Sequence, residues 1–131
     1  MVRTVILAAM ALALAWPADA RPSRHHHRAQ TAAQALDARP AACRGIAWCG
    51  CWLRLQKGIS DTRLNLARAW ATVGRNAGGP AVGVIAVWRH HVGEIVGVPA
   101  PGIIILRSGN DSGRVRVRPR STRGVIAYRW L

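Results

Sequence analysis

The loop Asn76-Ala77-Gly78-Gly79-Pro80 divides this chain into two textures, and the change of hydrophobic period across it constrains the fold most. Before the loop, apolar residues recur at helical spacing. Trp48, Cys49, Trp52, Leu53 and Leu55 read as a short helix that Gly58 stops, and Asp61 reads as the N-cap of a second helix over 62–73. Leu64, Leu66, Ala67 and Trp70 form the apolar side of that second helix, and Gly74 closes it. After the loop the period is two. Residues 82–88, 92–98 and 103–107 are rich in β-branched side chains, with Gly, Pro or His-His breaks between them. Val115 and Val117 alternate with Arg114, Arg116 and Arg118, which predicts a half-buried strand with an arginine outer face, and residues 125–130 form the last strand. Helices followed by about five strands predict an α+β domain with a meandering antiparallel sheet over residues 45–131.

The segments before residue 45 read differently. Arg3, an apolar run from Val5 to Trp16 and Ala18-Asp19-Ala20 have the form of an export signal cleaved after Ala20. The apolar run is too short to span a bilayer, so no transmembrane segment is expected in the mature chain. Residues 21–44, with His25-His26-His27 among arginines and then an Ala/Gln stretch, read as a flexible basic linker. The mature protein is expected in a periplasm or outside the cell.

Charge narrows the partners without naming one. Nineteen Lys+Arg against 5 Asp+Glu give +14 over 131 residues, and Lys57 is the only lysine. Nucleic acid, anionic lipid and the bacterial cell wall, with its peptidoglycan carboxylates and other anionic envelope polymers, all attract such a surface. No nucleic-acid motif is present, and the six tryptophans fall on expected core positions or in the leader. The length excludes a multidomain enzyme and a Rossmann-sized unit. Three Cys and five His occur without Cys-x-x-Cys or His-x-x-x-His spacing, so neither a metal nor a cofactor is expected.

Three motifs carry chemistry: Trp48-Cys49-Gly50-Cys51-Trp52, His90-His91-Val92-Gly93 and Ser108-Gly109-Asn110-Asp111. A cysteine in the first turn of a helix has its thiolate favoured by the exposed amides, and Cys49 stands where such a helix begins. A histidine on a neighbouring strand can serve as its base, and a further polar residue can orient the ring. His91 is favoured over His90 because Val92-Gly93 follows it and strand alternation turns one of the two outward. Asn110 ends the next strand. Each has a structural alternative: Cys49 as a small buried hydrophobe, His91 as a core histidine, Asn110 as a turn residue. Glu94 reads as an ordinary strand residue rather than a substrate contact. Three cysteines allow one disulfide and a free thiol, or no bridge; Cys43–Cys51 is one pairing that leaves Cys49 free.

Taken in order, Trp48-Cys49, Val82 to Trp88, His91-Val92-Gly93 and Ser108-Gly109-Asn110 resemble the NlpC/P60 and CHAP group of bacterial cell-wall amidases and endopeptidases. Val125-Ile126-Ala127-Tyr128-Arg129-Trp130 resembles the ending of a compact exported branch of that group. The resemblance implies a papain-like fold, a Cys49 nucleophile, a His91 base and an Asn110 orienter, acting on amide bonds of peptidoglycan. Trp48, Ser108 and Gly93 are the implied substrate-side residues. The chain departs from the pattern where Val84 replaces an Asp and Ser108 a Glu, and its interval from Cys to His is short. Those departures keep open a wall-binding module with decayed catalysis, and the Trp/Arg content a cationic membrane-active protein.

Overall fold

A computed structural model describes residues 38–131; the expected leader and the linker up to residue 37, with its His triplet, lie outside the described residues. Helix α1, Cys49–Gln56, is the only α-helix among them. Trp48 gives its start no side-chain cap, and Gly58 ends it at φ +65°. In place of the second helix expected over 62–73 there are two 3-10 segments, Thr62–Asn65 and Ala67–Thr72, separated by an extended Leu66. The reason is the closeness of α1. A Cβ on Gly50 would lie 2.5 Å from the Leu64 carbonyl oxygen and 2.6 Å from that of Asn65. The Leu64 carbonyl accepts from the Trp70 indole N–H at 2.7 Å, and Arg54 Nε donates to Asn65 Oδ1 at 2.9 Å. These tertiary bonds displace the helical ladder, while Asp61 still caps Arg63 N–H as expected. Leu66, assigned to the apolar side, is 60% exposed.

The strands are β1 (Arg75–Asn76), β2 (Ile85–Trp88), β3 (Val92–Ala100), β4 (Ile103–Asp111), β5 (Arg114–Ser121) and β6 (Val125–Trp130). They form one antiparallel sheet in the order β1-β6-β2-β3-β4-β5. The expected meander therefore holds from β2 to β5, and β6 then returns to the far side of β2. Gly74 makes that return possible: at φ +60°, a Cβ there would sit 1.8 Å from the Trp130 carbonyl oxygen. Arg129 secures the same corner by donating to the carbonyls of Val73 at 2.7 Å and Gly74 at 2.6 Å. The chain is α+β.

Alternation along the strands gives the sheet two apolar faces. Ile85, Val87 and Val92 join Trp48, Trp52 and Trp70 against α1, whereas Val84, Ala86, Trp88, Ile95, Ile104 and Leu106 form a second cluster. The arginines of β5 belong with the second cluster, since Arg118 pairs in register with Leu106 and Arg120 with Ile104. The expected solvated arginine face holds in part: Arg114 and Arg118 are exposed, but Arg118 also grips the buried Asp111 carboxylate, and the half-buried Arg120 lies 4.8 Å over the Trp88 ring. Val117, expected to point inward, is exposed. Packing also reaches back into the expected linker. Cys43 is bonded to Cys51, and Arg39 donates to the carbonyls of Cys43 and Ile46. Glu94 is ion-paired with Lys57 at 2.6 Å, tying β3 to the end of α1.

Candidate functional site

Cys49 opens α1, where the first amides of a helix have no carbonyl partners of their own. With the Cys43–Cys51 bridge made, Cys49 is the one free thiol among the described residues. Its Sγ lies 3.9 Å from the His90 carbonyl oxygen. The amides of Gly50, Val92 and Cys49 itself all favour the thiolate, and so does the positive Arg120. Burial outweighs them and raises the thiol above its ordinary value. The expected activation by helix start is therefore present in geometry, but the resting group is a neutral thiol.

The sulfur meets the β2–β3 hairpin. Arg89 and His90 form its two-residue tip, closed where Trp88 N–H donates to the His91 carbonyl at 2.8 Å. The thiol thus faces the peptide backbone on both sides of His91. His90 is exposed and His91 half-buried, matching the alternation expected of the pair. The His91 ring sits 6.2 Å from the Trp88 ring, and its Nε2 is 2.9 Å from Ser108 Oγ. Burial lowers its pKa to about 4, helped by Arg120 and Arg118 and opposed by Asp111. At neutral pH the imidazole is uncharged. Ser108 engages Nε2, and which of the two groups donates follows from the tautomer of the ring.

The polar partner of His91 is thus Ser108 rather than Asn110. Asn110 follows two residues later, at φ +54°, in the irregular end of β4 where the pairing with β5 shifts. Ser108 is fully buried and Trp48 is 3% exposed, so both support the site from within the core instead of facing a substrate. The room at Gly93 is taken by β4: a Cβ there would lie 2.7 Å from the Arg107 carbonyl and 2.8 Å from Ser108 Cβ. Gly109 does the same for the helix, since a Cβ would meet Trp52 at 2.7 Å.

A cavity of about 350 Å³ opens beside Cys49, between the 3-10 segments and the hairpin tip. Ile46, Asn65, Leu66, Arg68, Arg89 and His90 are among its walls. Reading 62–73 as a regular helix hid Leu66 and Arg68 from the sequence argument. Asp111 was also missed, being read only as part of a turn; its carboxylate lies below the usual range because Arg118 holds it. No group of three or more His, Cys, Asp or Glu is arranged to hold a metal ion among the described residues. No helix among them is long and apolar enough to cross a membrane. Compared with protein-family models, curated proteins and solved structures, the chain finds no match.

Proposed function

We propose that this protein is an exported cysteine amidase or endopeptidase of peptidoglycan, built on a papain-like fold of the NlpC/P60 or CHAP kind. The observation that carries the reading is the free Cys49 thiol at the start of α1, beside a cavity and against the backbone flanking a Ser108-bonded His91. In this reading the resting pair is neutral. Substrate enters the cavity, His91 accepts the thiol proton as sulfur attacks the amide carbonyl, and an acyl-enzyme forms. The backbone N–H of Cys49 contributes to the oxyanion hole. His91 then returns the proton to the leaving amine, and water, deprotonated by the same ring, releases the acyl group. Ser108 stands where related enzymes carry a carboxylate, so ring orientation is kept while the charge that would stabilise imidazolium is absent.

The test is release of soluble fragments from purified sacculi by the mature protein. Wild type releases them and Cys49→Ala does not; equal release by both refutes the reading. Burial of the thiol favours one other reading, a wall-binding module without catalysis. That module binds sacculi equally with Cys49→Ala, releases nothing, and lets go at high salt.

A further inference from the structure

We infer that the cavity beside Cys49 is an anion-selective subsite, in which Arg68 and Arg89 hold a free carboxylate of an acidic peptide next to the thiol. The inference names the substrate class of the site proposed above and so rests on that reading. Two cations from separate elements reach the same cavity: Arg68 from the second 3-10 segment and Arg89 from the hairpin tip. Both are exposed, and among the described residues no acidic side chain is part of the cavity wall. The three acids among the described residues are engaged elsewhere: Asp61 by Arg63, Glu94 by Lys57, Asp111 by Arg118. The rest of the wall suits a short peptide. Ile46 and Leu66 are exposed apolar side chains, 40% and 60%, and Leu66 is held out by the extended break between the two 3-10 segments. Asn65 accepts from Arg54 through Oδ1, which makes its NH2 the remaining donor for a backbone carbonyl. A carboxylate, a small apolar side chain and an amide carbonyl would each find a complementary group within one cavity. Guanidinium is the group of choice for such planar anions.

Two alkylating probes of nearly equal size test this without any assumption about catalysis. Iodoacetate carries the carboxylate, iodoacetamide is its neutral counterpart, and both report on Cys49 alone because the other two cysteines are bridged. The ratio of their rates cancels the intrinsic reactivity of the thiol. In the wild type this ratio exceeds that of the urea-unfolded protein at equal pH by about fivefold, as two exposed charge pairs would give. It falls to the unfolded value in Arg68→Gln/Arg89→Gln and is kept in Arg68→Lys/Arg89→Lys. Arg114→Gln/Arg116→Gln, which removes as much charge from the sheet edge, leaves it unchanged. A wild-type ratio no greater than the unfolded one, or an equal fall in the sheet-edge variant, overturns the subsite. Sacculus digestion separates the two claims: a selective ratio without fragment release sinks the hydrolase and leaves the anion subsite standing. Undiminished release by the Arg68→Gln/Arg89→Gln protein keeps the hydrolase and removes the subsite.

Discussion

Ser108 Oγ lies 2.9 Å from His91 Nε2, joining β4 to the residue just before β3 by a side-chain bond. The serine is fully buried, so its removal leaves a partly buried ring nitrogen without a partner. Ser108→Ala is expected to cost about 2 kcal/mol of stability, by urea denaturation. Fragment release should fall on the order of tenfold, in kcat rather than KM, because the ring loses its orientation and not its substrate. An unchanged kcat would show that Ser108 does not position His91.

Stability should decline in mildly acidic solution because of the same ring. His91 is held near pKa 4 in the folded protein against 6.5 ordinarily, so the unfolded chain binds its proton more readily. The stability linked to His91 is therefore full above pH 6.5 and is lost as the pH falls towards 4. The loss is about 2 kcal/mol once partial solvent screening of the ring is allowed for. Asp111, whose pKa is lowered chiefly by its bond to Arg118, adds a loss below 3.8. Urea midpoints at pH 7 and pH 4.5 measure the first window, and His91→Gln should flatten it.

Cys49 is expected to alkylate slowly at neutral pH. Burial raises its pKa, so the iodoacetamide rate should still be climbing at pH 9.0, the ordinary value for a thiol. His91→Ala should leave that profile in place, since the imidazole is uncharged over the same range. A plateau at pH 5–7 that vanishes in the variant would instead reveal a thiolate–imidazolium pair at rest.

Reduction should loosen the start of α1. The Cys43–Cys51 bridge spans eight residues of sequence and both cysteines are fully buried. A loop of that size stabilises by about 2.5 kcal/mol in the chain-entropy account. Cys43→Ser/Cys51→Ser should lose this amount by urea denaturation, and a phosphine reductant should bring the wild type to the same midpoint. No shift would mean that the bridge does not form.

Gly50 carries the approach of α1 to the 3-10 segments. Gly50→Ala would force a methyl against the carbonyls of Leu64 and Asn65, at a cost of about 2–3 kcal/mol. The disturbance lies beside Asn65 and Leu66, so the cavity should change with it. Equal urea midpoints for Gly50→Ala and wild type would contradict the close approach.

The α+β class, the five main strands, α1 and the N-cap at Asp61 were legible because each rests on local pattern: period, β-branching, a turn glycine or a capping side chain. What escaped rests on contacts distant in sequence. The 3-10 break at Leu66 follows from Trp70 and Arg54 taking up groups that a regular helix would use or leave to solvent. The placing of Arg118 and Arg120 on the face of the second cluster follows from the register of β5 on β4, which alternation alone leaves undetermined between two faces. Motif order singles out Cys49 and His91 as candidates, but the bond from His91 to Ser108 rests on the β3–β4 pairing, and Asn110 is equally placed in the linear chain.

The sheet order leaves β5 and the two-residue β1 as the outer strands. An outer strand offers unpaired amides and carbonyls to any chain that can lie beside it. Here Arg114, Arg116, Arg118 and Arg120 run along that border, with Pro119 among them removing one donor. A second copy aligning its β5 would bring four more guanidinium groups against these four, and β1 is too short to template anything. The arginines that hold Asp111 and cover Trp88 therefore also guard the edge of the sheet that the described residues form.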